Sequence, residues 1–291
     1  MSASRRRLLI LLGPTAVGKT DYSITLARKH GSPVISCDAR QIFRQMAIGT
    51  AVPSPEQLRA VPHHFIQTVP VDCAYTAGDY ELEAVSLLER LFDEGHDTLV
   101  MTGGSMFYID AVCRGLDDLP DGDPVLRREL WDRLRTEGVA PLAEELHRLD
   151  PATYAVIDRS NSQRVIRALE VCLLTGRPFS SYKTGTVKRR SFTIEKIGLE
   201  RPRAELYARI DARVGRMLED GLVEEVRSLL PYRECQALQT VGYREIFDYL
   251  DGRTGLEEAA DRIRVNTRHY AKRQLTWWRR DPDIRWIPAE G

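Results

Sequence analysis

The chain has 291 residues, enough for one large or two modest domains, and its 42 basic side chains balance 42 acidic ones. A net charge of zero excludes general attraction of nucleic acid and leaves only local basic patches for that purpose. No apolar run reaches the roughly 18 residues of a membrane span, so we expect no membrane association. Five widely spaced cysteines without a C-x-x-C pair argue against a disulfide framework or a zinc site and predict a reducing cytoplasmic location.

Short apolar runs bounded by glycine and proline alternate with helical patterns, which predicts buried parallel strands connected by helices. The predicted strands are 8–12, 33–37, 98–102, 192–198 and a weaker 285–287. This pattern indicates an α/β fold with a P-loop NTPase-like parallel-sheet core. Ligands of such sheets bind beyond the carboxyl ends of the strands. Three segments would lie there, namely 13–20, 38–41 and 102–105.

The segment Gly13-Pro14-Thr15-Ala16-Val17-Gly18-Lys19-Thr20 follows the first strand and matches the phosphate-loop pattern. Glycines allow a tight turn whose N–H groups point at phosphate oxygens, and the helix after the loop directs its positive end at the same anion. Lys19 would neutralise phosphate charge, and the Thr20 hydroxyl suits a Mg²⁺ ligand. The motif therefore predicts a phosphate or diphosphate site, but it does not specify a nucleotide.

Asp38 follows the second strand, where a carboxylate beside a phosphate loop can accept a proton or bind Mg²⁺. Capping of a following helix is the alternative. An ordinary NTPase would also have a Mg²⁺-binding acid at the end of an apolar strand. The third strand continues instead into Thr102-Gly103-Gly104-Ser105, which disfavours an ATPase or GTPase. The histidine pair at 63 and 64 has no acid or cysteine at metal-ligand spacing, so we expect it to be structural.

Residues 117–190 interrupt the alternation, because helical patterns occur there without a convincing strand. Asp-Pro pairs at 123 and 150 predict two helix starts, and Asn161 predicts a third helix that ends near Gly176. We interpret 117–190 as a helical insertion domain within a discontinuous core formed by 1–116 and 191–291.

Basic residues concentrate in three later segments. The helix predicted at 203–219 has Arg209, Arg213 and Arg216 on one face. These arginines either form a solvated face paired with the acids at 205 and 211, or one of them reaches the phosphates.

Segment 262–285 interleaves eight Lys or Arg residues with aromatic ones, and Arg268 and Lys272 share a helix face there. Segment 171–190 is basic and contains no acid. Two such segments around one phosphate site suggest a large anionic substrate, and the pattern suits nucleic acid.

Together these segments closely resemble the tRNA dimethylallyltransferases, the tRNA prenyltransferase family, in their bacterial form. Besides the phosphate loop, the matching segments are 36–41, 48–51, 102–105, 161–171, 241–245 and 272–277, in order over nearly the whole chain. Two positions depart from the usual family pattern, since Ser105 replaces a threonine and Ala39 replaces a serine. Eukaryotic members often append a C-terminal zinc finger, whereas no cysteine follows Trp286 here.

The resemblance implies transfer of a dimethylallyl group from dimethylallyl diphosphate to the exocyclic amine of the adenosine on the 3′ side of a tRNA anticodon. It implies a general base at Asp38, a Mg²⁺ and diphosphate contact at Thr20, and a diphosphate clamp of Lys19 and Arg213. The full diphosphate site would be Gly13, Thr15, Ala16, Val17, Gly18, Lys19, Thr20 and Arg213. The insertion resembles a mobile domain that closes over the anticodon arm.

The resemblance also assigns a set of residues to tRNA binding. In the core these are Asp38, Ala39, Arg40, Gln41, Ser105, Gln239, Thr240, Val241, Gly242, Tyr243, Arg244, Lys272, Arg273, Gln274, Leu275, Thr276, Trp277, Trp278 and Arg279. In the insertion they are Gln163, Arg164, Val165, Ile166 and Arg167. The expected partners are therefore the tRNA anticodon stem-loop and dimethylallyl diphosphate, with Mg²⁺ as cofactor and no evident obligate protein partner.

Three alternatives remain at this point. An adenylate prenyltransferase acting on free AMP, ADP or ATP would share the fold, but it needs neither the insertion nor the basic C-terminal segment. A P-loop kinase for a small metabolite is disfavoured by the missing acid on the third strand. A non-catalytic nucleic-acid-binding module is disfavoured by the intact Gly18, Lys19 and Thr20.

Overall fold

The computed structural model describes residues 6–289, which form two compact units connected by two chain crossings. The larger unit contains the residues up to Cys113 and those from Arg189 onward, and the smaller unit contains residues 114–188. The insertion predicted at 117–190 begins three residues after the smaller unit begins and ends two residues after it ends.

The elements follow in chain order. Before the first crossing lie β1 (Arg7–Leu12), α1 (Lys19–His30), β2 (Val34–Ser36), α2 (Pro55–Ala60), β3 (His63–His64), α3 (Ala77–Asp93), β4 (Thr98–Thr102) and α4 (Met106–Arg114). The smaller unit contains α5 (Pro124–Glu137), α6 (Val139–Leu149), α7 (Pro151–Val156) and α8 (Ser162–Thr175). After the second crossing come β5 (Thr193–Glu200), α9 (Arg203–Glu219), α10 (Leu222–Ser228), α11 (Tyr243–Leu250), α12 (Leu256–Trp278) and β6 (Ile284–Pro288).

In the described residues the strands form one six-stranded parallel sheet in the order β3-β2-β4-β1-β5-β6. All five predicted strands are confirmed, with bounds shifted by at most two residues. The sequence did not predict one strand. This is the two-residue edge strand β3, in which His63 and His64 pair with Val34 and Ile35. The predicted parallel α/β core is therefore correct.

The sheet is covered on both faces, as the continuous apolar strands require. One core cluster joins the inner strands to α3 and α4, for example through Leu88 and Ile109. Another joins β1 and β5 to α9 through Leu11, Leu199 and Ile210. Because β1, β2 and β4 are neighbours and parallel, the loops that follow them lie together at one edge of the sheet.

The smaller unit is helical, and three of its helix starts agree with the sequence. The side chains of Asp123, Asp150 and Asn161 accept hydrogen bonds from the first turns of α5, α7 and α8. Helix α6 was not predicted separately, because Gly138 ends α5 and begins α6 without a side-chain cap. Inside the unit, the buried carboxylate of Glu170 accepts hydrogen bonds from two arginine side chains.

Among residues 6–289, no helix combines the length and the apolar character needed to cross a membrane.

A buried ion pair fixes the end of α4 in the larger unit. The Arg190 guanidinium donates to Glu81 Oε1 at 2.9 Å and to the carbonyl oxygens of Ala111 and Val112, each at 2.8 Å. The side chains of Arg190 and Glu81 are only 10% and 6% exposed. The pair thus satisfies the last carbonyl groups of a helix directly before the chain leaves the larger unit.

We predict that Glu81→Leu lowers the free energy of unfolding by about 3 kcal/mol, because it leaves the Arg190 charge buried without its partner. Glu81→Gln should cost less, since its amide oxygen can still accept the hydrogen bond. Urea denaturation of both variants measures the difference. A loss below about 0.5 kcal/mol for the leucine variant would contradict the burial of this pair.

Candidate active site

The phosphate loop has the backbone that its glycines permit. Gly13 has a φ of +149°, and a Cβ atom there would lie 2.7 Å from the carbonyl oxygen of Leu199. Gly18 has a φ of +108° and directly precedes α1, which begins at Lys19. The free N–H groups at the start of α1 therefore face the loop, as an anion site requires.

Lys19 is folded onto the loop itself. Its Nζ donates to the carbonyl oxygens of Gly13 and Pro14 at 2.8 and 2.9 Å. Burial lowers the pKa of Lys19 to about 8; the nearby Asp38 carboxylate opposes this shift and the Arg213 guanidinium adds to it. The ammonium group thus lacks a full counter-charge, and an anion in the loop would supply one.

Three arginines hold the loop from outside. Arg213 donates to Thr15 Oγ1 at 3.1 Å and to the carbonyl oxygen of Thr50 at 3.4 Å. Arg209 Nε donates to the carbonyl oxygen of Ala16, and Arg201 Nε to that of Val17, each at 2.8 Å. Burial lowers the pKa of Arg213.

The expected pairing of the α9 arginines with the acids at 205 and 211 is wrong, whereas the side chains of Arg209 and Arg216 are exposed, as a solvated face requires. Glu205 pairs with Arg201, which the sequence analysis did not identify, and Asp211 pairs with Arg268. The guanidinium of Arg268 also lies over the Tyr207 ring, 5.1 Å from its centroid. Helix α9 therefore directs Arg209 and Arg213 at the phosphate loop.

Asp38 does not cap a helix, so that alternative is also wrong. Its Oδ1 accepts hydrogen bonds from the backbone N–H groups of Arg40 at 2.8 Å and Gln41 at 3.2 Å, which closes a local turn. The Ser105 hydroxyl accepts a hydrogen bond from the Ala39 N–H at 2.7 Å. Ser105 therefore connects the loop after β4 to the loop that presents the Asp38 carboxylate.

Gln274 joins two of the loops at the sheet edge. Its Oε1 accepts a hydrogen bond from the Thr15 N–H at 2.9 Å, and its Nε2 donates to the Gly104 carbonyl oxygen at 2.8 Å. The Tyr270 hydroxyl donates to the same carbonyl oxygen at 3.1 Å. The side chain of Gln274 is buried. It therefore sets the spacing between the phosphate loop and the loop after β4.

Two cavities meet at the Asp38 carboxylate. The first, of about 910 Å³, contains the phosphate loop with Lys19 and Thr20. The second, of about 820 Å³, has aromatic and cationic walls. Both cavities are lined by Thr15, Asp38, Thr50, Arg213, Met217 and Tyr270. A reactant in the first cavity and a reactant in the second would therefore meet beside this carboxylate.

Many residues predicted to bind tRNA converge on the second cavity. They are Ala39, Arg40, Ser105, Gln239, Thr240, Val241, Gly242, Arg244 and Arg273. On α12 and at the residue directly after it, the side chains of Lys272, Thr276 and Arg279 are exposed, and those of Leu275 and Trp277 are half-buried.

Other side chains in the predicted tRNA-binding set are buried. Tyr243, Gln274 and Trp278 lie in the larger unit, and Val165 and Ile166 lie in the apolar cluster of the smaller unit. There Gln163 and Arg164 are exposed. Arg167, by contrast, donates to Glu170 and to the carbonyl oxygen of Pro120.

Fold and site together define a P-loop-type α/β protein with a carboxylate beside its phosphate loop. Residues 41–281 match the family model described as IPP transferase, and the chain belongs to that family. The predicted family membership is confirmed.

Relatives cover the whole chain. It is 52% identical over 290 residues to tRNA dimethylallyltransferase 2 of Porphyromonas gingivalis, covering 100% of this chain and 96% of the relative. It is 47% identical to tRNA dimethylallyltransferase 1 of Bacteroides fragilis, covering 98% and 94%.

Solved structures are also similar. The tRNA isopentenylpyrophosphate transferase of Bacillus halodurans matches with a TM-score of 0.71 and 37% identity over 98% of this chain and 90% of that one. A eukaryotic dimethylallyltransferase acting on tRNA matches with a TM-score of 0.81 and 26% identity over 98% and 74%.

The pKa of Lys19 makes anion binding pH-dependent. Bound pyrophosphate would keep Lys19 charged, whereas the empty site releases its proton above about pH 8. We predict that the affinity for pyrophosphate falls about tenfold between pH 7 and pH 9, relative to Lys19→Arg, which stays charged. Calorimetric titration measures the affinity of both proteins for pyrophosphate. The ratio of the two affinities removes the effect of pyrophosphate's own protonation, which is the same for both. If the ratio of wild-type to Lys19→Arg affinity did not change between pH 7 and pH 9, Lys19 would not be the titrating group that binds the anion.

Proposed function

We propose that this protein transfers a dimethylallyl group from dimethylallyl diphosphate to the N6 amine of the adenosine on the 3′ side of a tRNA anticodon, and releases diphosphate. The observation that carries the proposal is the position of Asp38 at the junction of a phosphate-loop cavity and a cationic, aromatic cavity. Membership of the IPP transferase family and the names of its relatives support it.

The first cavity suits the donor. Gly13, Thr15, Ala16, Val17, Gly18, Lys19, Thr20 and Arg213 would surround the diphosphate. As the bond between the dimethylallyl C1 and the diphosphate oxygen breaks, the electron pair leaves with diphosphate. Lys19, Arg213 and the loop N–H groups would stabilise that charge. The short carbonyl contacts of Lys19 would be exchanged for phosphate oxygens.

The oxygen donors of the first cavity, together with the phosphates of the substrate, suit Mg²⁺. Thr20 and Asp38 line the first cavity, and Mg²⁺ sites commonly combine few protein oxygens with substrate phosphates. Bound there through the Thr20 hydroxyl, the metal would supply further neutralisation of the diphosphate charge.

The acceptor would enter through the second cavity. Its N6 forms the new bond to C1 and passes a proton to Asp38, the general base. The adenosine must leave its base stack to reach this carboxylate. The basic residues of the second cavity and of α12 would hold the RNA backbone, and 117–190 would contact the anticodon arm through Gln163 and Arg164. A cytoplasmic location accords with this substrate.

The direct test incubates the protein with dimethylallyl diphosphate, Mg²⁺ and an unmodified tRNA bearing adenosine on the 3′ side of its anticodon. Mass analysis of the digested nucleosides should reveal a prenylated adenosine. Product from free AMP and none from tRNA would instead identify an adenylate prenyltransferase.

We predict that Asp38→Asn lowers turnover about 10²–10⁴-fold, because the amide cannot take the N6 proton. The asparagine oxygen can still accept the two backbone hydrogen bonds that Oδ1 accepts, so the loop and the affinity for tRNA should be preserved. Single-turnover product formation and a binding titration separate the two effects. Asp38→Ala, which also removes the turn, is the matched control. Near-normal turnover of Asp38→Asn would exclude Asp38 as the base.

We predict that Lys272→Gln weakens tRNA binding and reduces the slope of log affinity against log salt by about one, because one phosphate contact is lost. Arg268→Gln is the control, because Arg268 shares a helix face with Lys272. Arg268 is already paired with Asp211 at 2.6 Å, so its removal should leave the slope almost unchanged. Equal changes of slope in the two variants would contradict this distinction.

A further inference from the structure

An exposed aromatic side chain lies at the wall of the second cavity. Phe107, in the first turn of α4, is 53% exposed, although it lines the same cavity as the Asp38 carboxylate. Its neighbour Tyr108 is buried and stacks on Tyr80 in the core. Packing of the fold therefore explains Tyr108, whereas Phe107 leaves apolar area facing the space next to the proposed acceptor.

Phe107 is supported by a second aromatic ring. The Trp277 indole lies 5.5 Å from the Phe107 ring, centroid to centroid, at an interplanar angle of 51°. Trp277 Nε1 donates to Asp110 Oδ2 at 3.2 Å, which ties α12 to α4. Both rings are thereby held in place by the ends of two helices, so a flat ligand would meet a surface that is already ordered.

Cationic side chains line the same cavity as Phe107. They are those of Arg40, Arg244 and Arg273, and the Arg273 guanidinium lies over the Tyr270 ring at 5.7 Å. An aromatic face among cations suits single-stranded nucleic acid, whose bases stack while its phosphates are neutralised. An apolar protein partner would have to desolvate these charges at a cost.

We propose that Phe107, supported by Trp277, is a positioning residue that stacks on a base directly adjacent to the target adenosine. The inference rests on the proposed function. Withdrawing the target base from the RNA stack exposes a face of its neighbour, and Phe107 covers that face. The adjacent nucleotide is thereby fixed while the target base reaches Asp38.

The first test measures binding of an anticodon stem-loop RNA to Phe107→Leu and Phe107→Tyr at several salt concentrations. Stacking predicts about tenfold weaker binding for leucine and a change within about twofold for tyrosine, which keeps the ring. The salt slope should stay that of the wild type, because no charge is removed, whereas Arg273→Gln should reduce it by about one. Thermal unfolding verifies that the variants fold.

The second test removes the stacked base itself. RNAs with an abasic residue on either side of the target adenosine are combined with wild type and Phe107→Leu in a double-mutant cycle. We expect one of the abasic RNAs to bind the wild type about tenfold more weakly than the intact RNA does. For Phe107→Leu, the affinities for that abasic RNA and for the intact RNA should be almost equal. The proposal would be overturned if, for both abasic RNAs, the losses of binding free energy from the abasic residue and from Phe107→Leu were fully additive. It would also be overturned if Phe107→Leu bound the intact RNA as tightly as the wild type. Absence of any prenylated product from the wild type would instead refute the proposed function.

Discussion

The site depends on loop backbones that approach one another too closely for side chains. At the carboxyl ends of the inner strands, a Cβ at Gly103 would lie 2.4 Å from the Cys37 carbonyl oxygen, and one at Gly13 would lie 2.7 Å from the Leu199 carbonyl oxygen. The loop after β4 accordingly has the sequence Thr-Gly-Gly-Ser and contains no acidic side chain. The only carboxylate that both cavities share, among the described residues, is Asp38.

Positive charge accumulates around that carboxylate. Burial lowers the pKa of Lys19, Arg40 and Arg213, and the field of Asp38 acts against the shift in all three. Backbone carbonyl oxygens solvate the cations, but they cannot neutralise them. The fold thus holds cationic groups buried at a cost in free energy, which a bound diphosphate would relieve. In the proposed reaction, these groups would stabilise the same anion as it forms as the leaving group.

How much the sequence predicted depends on the range of the interactions. Apolar runs and helical periodicity are local, so five of the six strands in the described residues and the bounds of α9 followed directly from the sequence. Helix α6 was missed because no side chain marks its start. The contacts of Gln274 and Arg201 with the phosphate loop were also missed, since they join residues 259 and 184 positions apart. No periodicity or spacing encodes such pairs. The sheet order brings Arg201, directly after β5, beside the loop after β1, and helix α12 carries Gln274 to the same loop.

The two cavities divide the task of selecting substrates. Charge dominates around the phosphate loop, where the proposed ligand is a compact diphosphate and any misplacement of Lys19 or Arg213 would weaken the stabilisation of the leaving group. Around the second cavity, charge alone would hold any RNA backbone equally well, because phosphates carry no sequence information. The position of the RNA strand relative to Asp38 must therefore be set by contacts with bases. In the proposed complex, Arg40 and Arg273 would attract the RNA strand, and the exposed ring of Phe107 would decide which nucleotide stops beside Asp38.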